Sequence, residues 1–453
     1  MRASVAAEMS GVGSVTVVGD GFAGYARSLA DRLGVPELPL AVLASVIMTE
    51  QDEELRRQVR EELTRQVVAG LLAVPAPPGR AAADADPARI VYEGDLDEVH
   101  DEFERRLWTD GLPIVPPTVE RVEAFLSETP RSPGEVLGIL QPDNREATIW
   151  NVAVNGVMAG CRPRYMPVLV AAVEAMCDPE FHLEYAGGTP GWEPLVIVGG
   201  PAADRLGFNH GAGLMRVGRR ANSSVGRFMR LYLRNVAGLR IPPGETDKAT
   251  IGTGLNVAIA EDEEAAHALG WPTYAEERGA RPGEEVVTVI SVQGASSAVY
   301  SGGTAALDHA RTLAEAIGQG VWAHKAWTGL WFGQYHPLLV ISPSVAAVLA
   351  RDGWRKDDLR RHFADNVLVT AESLERYAWQ TGTTEFKLEQ LVEEGRIDSR
   401  YALSNDPERL VPAFSHPERI GIVVAGDPSV NQARGYVQNH RQGPPVTKPI
   451  SSR

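Results

Sequence analysis

Apolar residues along this chain gather into short runs separated by longer stretches with helical spacing. Residues 15–18, 38–44, 195–198, 286–292, 337–342 and 420–425 read as buried strands, most of them ending in a Gly, Ser or Pro loop. Residues 23–33, 53–72, 95–107, 119–126, 167–176, 307–317 and 345–351 carry helical periodicity, with Thr118 placed to cap the helix at 119. Strands and helices that alternate in this way predict an α/β fold: a layered sheet-and-helix large domain behind a small N-terminal β-α-β-α fragment.

The fragment spans residues 1–73, and its two strands are too few to stand alone, so it calls for more sheet from the chain or from a partner. Residues 75–87 shift to Pro, Ala, Gly and Asp, which sets a linker at 74–88 and the large domain at 89–453. Residues 108–118 form a stiff, Pro-dense loop, and residues 436–447 read as a polar tail after the last strand. The sequence shows no internal repeat.

Charge changes the picture in one place. The chain carries a formal net charge of -15, yet no carboxylate falls between Asp204 and Glu245, where there are eight arginines. Arg216, Arg220, Arg227, Arg230 and Arg234 are spaced to share one helical face behind a Gly-rich loop, Asn209–Gly213. Exposed amides feeding an arginine-faced helix make a candidate anion cradle. The plainer alternative is that these arginines pair with acids elsewhere or at a subunit interface. Asn151 and Asn155, four apart in an apolar helical stretch, and Asn222 join the arginines as candidate substrate-binding residues.

Candidate catalytic groups lie beside these loops. His210 and His336 are candidate bases, and Lys248 sits with Asp247 in a second Gly-bearing loop. Cys161 neighbours Arg162, which would favour its thiolate; the alternative is a small buried residue at a helix end. The histidines show no ligand spacing, Gly19-Asp20-Gly21 lacks the dinucleotide fingerprint, and no cofactor is indicated. The acidic balance argues against nucleic acid and anionic membranes. Two cysteines exclude a disulfide framework, and the absence of a leader or a spanning apolar run leads to a cytoplasmic expectation.

Several long motifs carry a resemblance. From residue 89 onward, W-T-D-G-L-P-I-V-P-P-T, W-N-V-A-V-N-G-V-M-A-G-C-R-P, G-G-T-P-G-W-E-P-L-V-I-V and G-I-V-V-A-G-D-P-S-V-N-Q-A-R-G-Y-V-Q-N-H make the chain similar to the large domain associated with the UGSC (seleno)protein family of bacteria. Residues 14–72 resemble the back half of that family's small domain. The family's Sec/Cys-Gly-Ser-Cys motif would fall ahead of residue 1 and occurs nowhere in this sequence. The resemblance implies thiol chemistry; either a cysteine-bearing small subunit supplies the missing half-domain and its thiol, or this version works without it. The leading expectation is therefore an enzyme of lyase or transferase type on a small carboxylate, making or breaking a carbon–sulfur bond within a homo- or hetero-oligomer. The alternatives are a non-catalytic large subunit that positions a cysteine-bearing partner, and a metal-dependent hydrolase or lyase.

Overall fold

A computed structural model describes residues 1–44, 50–73, 88–186, 191–241, 251–255, 257–380, 387–439 and 442–451. The N-terminal unit runs α1 (Arg2–Met9), β1 (Thr16–Gly19), α2 (Ala23–Arg32), β2 (Leu40–Leu43), α3 (Asp52–Gln58) and α4 (Thr64–Leu72), the last two joined by a π-helical turn at Val59–Leu63. β1 and β2 pair in parallel from Thr16↔Leu40 to Gly19↔Leu43. Their core is thin: Val5, Ala30, Val35 and Leu38. The Gln66 side chain accepts from the Val42 N–H (2.8 Å) and donates to the Val42 carbonyl (3.0 Å), occupying the outer edge of β2. Among the described residues β1 has no second neighbour. Arg32 ties the unit to the large domain through Asp143 at 2.9 Å. The linker reading at 74–88 falls almost wholly outside the described residues.

The large domain opens with α5 (Leu96–Arg105), held by an Asp95/Glu98 capping box, then α6 (Val119–Leu126) and a hairpin of β3 (Val136–Leu140) and β4 (Arg145–Thr148). Thr118 stands at the N-cap of α6 but makes no side-chain capping bond. Next come α7 (Ile149–Met158), α8 (Met166–Cys177), β5 (Glu193–Gly199), α9 (Ala202–Leu206), α10 (Arg220–Tyr232), β6 (Ile259–Ala260), α11 (Glu263–Ala268), α12 (Tyr274–Glu277) and β7 (Val286–Ala295). A second run follows: β8 (Val299–Tyr300), α13 (Ala306–Leu313), α14 (Ala323–Phe332), β9 (Leu338–Ile341), α15 (Pro343–Arg351) and α16 (Lys356–Asn366). It ends with β10 (Leu368–Thr370), α17 (Ala371–Gln380), α18 (Leu388–Glu393), β11 (Leu410–Pro412), β12 (Gly421–Val424), β13 (Gln432–Gln438) and β14 (Val446–Pro449).

The main sheet has the order β12-β9-β13-β7-β5-β6. Each half repeats one plan: β5 lies parallel to β6 and antiparallel to β7, as β9 lies parallel to β12 and antiparallel to β13. β7 and β13 join the halves antiparallel, with β14 added on β7 and β8 on β13. A doubled topology is thus present in a chain whose sequence shows no repeat. The region read as a polar tail contributes β13 and β14, so 420–425 is not the last strand.

The outer strands of this sheet meet. The Asp262 N–H donates to the Val424 carbonyl at 2.8 Å, and the Val424 N–H donates to the Glu261 carboxylate at 3.1 Å. Alternate residues therefore fill an enclosed inner core, where Leu195, Ile197, Ile259, Ile290, Val292, Leu338, Val340 and Val423 pack together. The outward residues Val196, Val198, Val287 and Val289 pack under the helices of the first half. Leu339, Ile341, Ile422 and Val424 do the same under those of the second. Burial on both faces explains why these strands read as continuous apolar runs.

A buried charge chain locks the seam. Glu261 also accepts the Tyr274 N–H at 2.6 Å, and Lys356 reaches Glu261 (3.6 Å), Glu277 (3.4 Å) and the Ile422 carbonyl (2.9 Å). Arg360 joins Glu277, Asp357 and the Ile420 carbonyl. Burial pushes the Glu261 carboxyl up, and Lys356 opposes that shift. Lys356→Met leaves Glu261 without its cation, so a loss of roughly 3–5 kcal/mol is expected in chemical denaturation, with much of it restored by adding Glu261→Gln.

Candidate functional site

α10 is amphipathic: Ala221, Val225, Phe228, Met229 and Tyr232 are buried, while arginines line the other side. The helix begins at Arg220. Gly213 and Gly218 have φ of +73° and +136°, which interrupts any helix upstream and leaves Arg216 in the preceding loop. The expected single face of five arginines is therefore corrected to a loop arginine followed by a helical set.

Most of the helical set is already engaged. Arg227 forks onto Asp110 at 2.9 and 2.8 Å and reaches the Pro113 carbonyl at 2.9 Å. Arg230 pairs with buried Glu193. Arg220 donates to the Gly160 carbonyl at 3.0 Å, and Arg234 donates to the Leu107 carbonyl at 2.8 Å. Asn235 holds the Trp108 carbonyl at 3.0 Å. Together these bonds fix the Pro-dense loop against the helix. Pairing with acids elsewhere, the plainer alternative, is what Arg227 and Arg230 do.

The three asparagines also bond internally. Asn151 completes a capping box with Thr148 and accepts the Tyr232 hydroxyl at 2.7 Å. Asn155 donates to the Asn151 carbonyl (2.8 Å) and accepts from Asn235 (2.9 Å). Asn222, 1% exposed, bonds the Asn209 N–H and carbonyl and the Ala258 carbonyl. These amides lock backbone segments to one another.

Two arginines remain open. Arg216 and Arg219 are exposed, and their side chains make no hydrogen bond or ion pair among the described residues. Arg219 occupies the N-cap of α10 without a side-chain capping bond. The loop between them and α9 carries His210, whose carbonyl accepts the Gly426 N–H at 2.8 Å. The His210 imidazole lies between Asp204 (3.1 Å) and Asp262 (3.6 Å). Neither acid was singled out from the sequence; the carboxylate run after β6 at 261–264 was the available signal for Asp262.

Other expected groups are placed elsewhere. His336 precedes the N-terminal end of β9, whereas His210 adjoins Gly426 beyond the C-terminal end of the parallel β12, so the two histidines lie at opposite ends of the sheet. Burial, with the charges of Arg419 and Arg278, pushes His336 down to about 3, which makes it a neutral ring in the physiological range. Lys248, with residues 242–250, lies outside the described residues. Among the described residues no group of three or more His, Cys, Asp or Glu side chains is disposed to hold a metal ion.

Cys161 is not an activated thiolate. It is 7% exposed, and burial pushes its thiol up to about 12 against the opposing effects of Ser224, Arg220 and Arg227. Arg162, expected to activate it, is not among those influences. Burial raises Cys177 to about 12 as well. Slow alkylation of both thiols in the native protein near pH 8 is the expected outcome. Above pH 9 the unfolded chain loses thiol protons that the folded chain keeps. Unfolding free energy should thus fall with rising pH, by about 1.4 kcal/mol per unit for each thiol. A Cys161→Ala/Cys177→Ala variant should show a shallower alkaline slope.

No curated protein and no solved structure matches the chain. Beyond the N-terminal unit the chain has no family match. Residues 1–73, the small domain built on β1 and β2, match the UGSC family.

Proposed function

We propose that the chain is an enzyme acting on a small anionic metabolite, a carboxylate, bound where the loop at 209–219 meets α10. The observation that carries this reading is the open state of Arg216 and Arg219 beside the uncapped start of a 13-residue helix. First-turn amides and the helix dipole favour negative charge there, and two unpaired guanidiniums add to it. His210, held between Asp204 and Asp262, is the candidate acid–base group. The reaction class in this reading is the making or breaking of a carbon–sulfur bond, taken from the thiol chemistry that the resemblance to the UGSC family implies. Cys161 and Cys177 are buried thiols with raised pKa, so the reacting thiol in this scheme comes from a partner.

Isothermal titration with succinate as the probe tests the site. Arg216→Gln/Arg219→Gln is expected to weaken succinate binding by about tenfold or more while leaving thermal stability intact. Arg227→Ala should instead lower the melting temperature, because it strands Asp110 and frees the Pro-dense loop. Succinate affinity equal to wild type in the double variant would overturn the assignment.

A second reading is a non-catalytic subunit that positions a cysteine-bearing protein. It is favoured by the edge of β1, which has no second neighbour among the described residues and lies next to the exposed side chains Val17 and Phe22. Native mass spectrometry of protein purified from its own host separates the two. A stoichiometric small cysteine-containing chain supports this second reading, and activity of the isolated chain excludes it.

A further inference from the structure

The inner face of β13 carries a polar pair that the enclosed core does not explain. Tyr436 packs inward with Leu195, Ile290, Val292, Leu338 and Val340, whereas Ala433 and Val437 pack outward. Strand alternation places Arg434 on the same inward side as Tyr436, directly opposite Val340 of β9. Tyr436 is 1% exposed, and its hydroxyl has no hydrogen-bond partner. Arg434 is half-buried, and its side chain has neither a hydrogen bond nor an ion pair among the described residues. The two groups are close enough for the guanidinium charge to act on the phenol.

A buried hydroxyl without a partner is costly in apolar surroundings, and a half-buried arginine without an acid is open to an anion. Both become satisfied by one ligand that offers negative charge and an acceptor oxygen. The neighbouring walls limit what that ligand is. Ala425 and Leu214 belong to the same core, and Met215 packs against it. One arginine matches one negative charge, and walls of this kind take a hydrocarbon body. A phosphate dianion would leave charge uncompensated against them.

We propose that Arg434 and Tyr436 form a binding site for a small carboxylic acid with a short apolar body. The guanidinium pairs with the carboxylate, the phenol hydroxyl donates to one of its oxygens, and the alkyl part lies against Val340, the residue opposite Arg434. The site stands on different residues from the α10 assignment, and the two fail independently.

Titration calorimetry and thermal shift on the full chain test it, with butyrate as the probe and butyramide and inorganic phosphate as comparators. Butyrate should bind and raise the melting temperature, and butyramide should not. Arg434→Gln is expected to weaken butyrate binding by about tenfold or more, and Tyr436→Phe by roughly three- to tenfold. Tyr436→Phe without ligand should melt no lower than wild type, because the hydroxyl it removes has no partner. With the α10 site disabled by Arg216→Gln/Arg219→Gln, butyrate should still bind, and adding Arg434→Gln should still weaken that binding by about tenfold or more. Absence of butyrate binding at millimolar concentration overturns the proposal. So does unchanged affinity in Arg434→Gln, or a preference for phosphate.

Discussion

The closure of the main sheet depends on one buried carboxylate. Glu261 follows the two-residue strand β6, too short to hold a seam through backbone bonds alone, and its side chain takes N–H groups from both Val424 and Tyr274. A charge in that position is tolerable only because Lys356 stands beside it, itself bonded to the Ile422 carbonyl. Opening this seam would expose the inner core and separate β6 from β12. It would also loosen the ends of both halves, since α12 and α16 are tied into the same charge chain through Glu277 and Arg360.

Around that seam the two halves share a plan and differ in how they treat charge. In the first half α10 uses its arginines to hold a loop that has little regular structure of its own. Arg227, Arg234 and Asn235 supply donors to carbonyls of the 107–118 segment that strand or helix neighbours would otherwise satisfy. In the second half, α16 faces the sheet with Lys356 and Arg360, and these are spent on the seam. A cluster of arginines is thus, for the most part, a set of backbone anchors here. What remains for ligands is the small remainder: Arg216 and Arg219 at the loop, and Arg434 inside.

Much of the architecture was legible because strands buried on both faces read as uninterrupted apolar runs; residues 195–198 and 286–292 fall inside β5 and β7. β13 was not legible for a physical reason. Gln432, Arg434 and Gln438 put polar atoms on one side of the strand, and Gly435 adds no side chain, so the segment has the composition of a tail. The arginine stretch was legible as a place and not as an arrangement. Gly218 breaks the helix between Arg216 and Arg220, and nothing in the spacing reveals that Asp110, over a hundred positions earlier, takes Arg227. The burial that silences Cys161 is likewise a property of tertiary packing, and it outweighs the opposing effects of Ser224, Arg220 and Arg227, while its sequence neighbour Arg162 suggested the reverse.

The bracket that Gln66 places on Val42 sets a direction for assembly. A small sheet with both edges bare can grow at either end and, repeated through many copies, lengthens without limit. Here one side is stoppered from within by a side-chain amide that imitates a neighbouring strand. Growth is then single-ended: a strand arriving at β1 finds a place, and two such units meeting there satisfy each other and stop. Among the described residues, that geometry leaves the β1 edge free to pair while closing the β2 edge of this sheet to further strands.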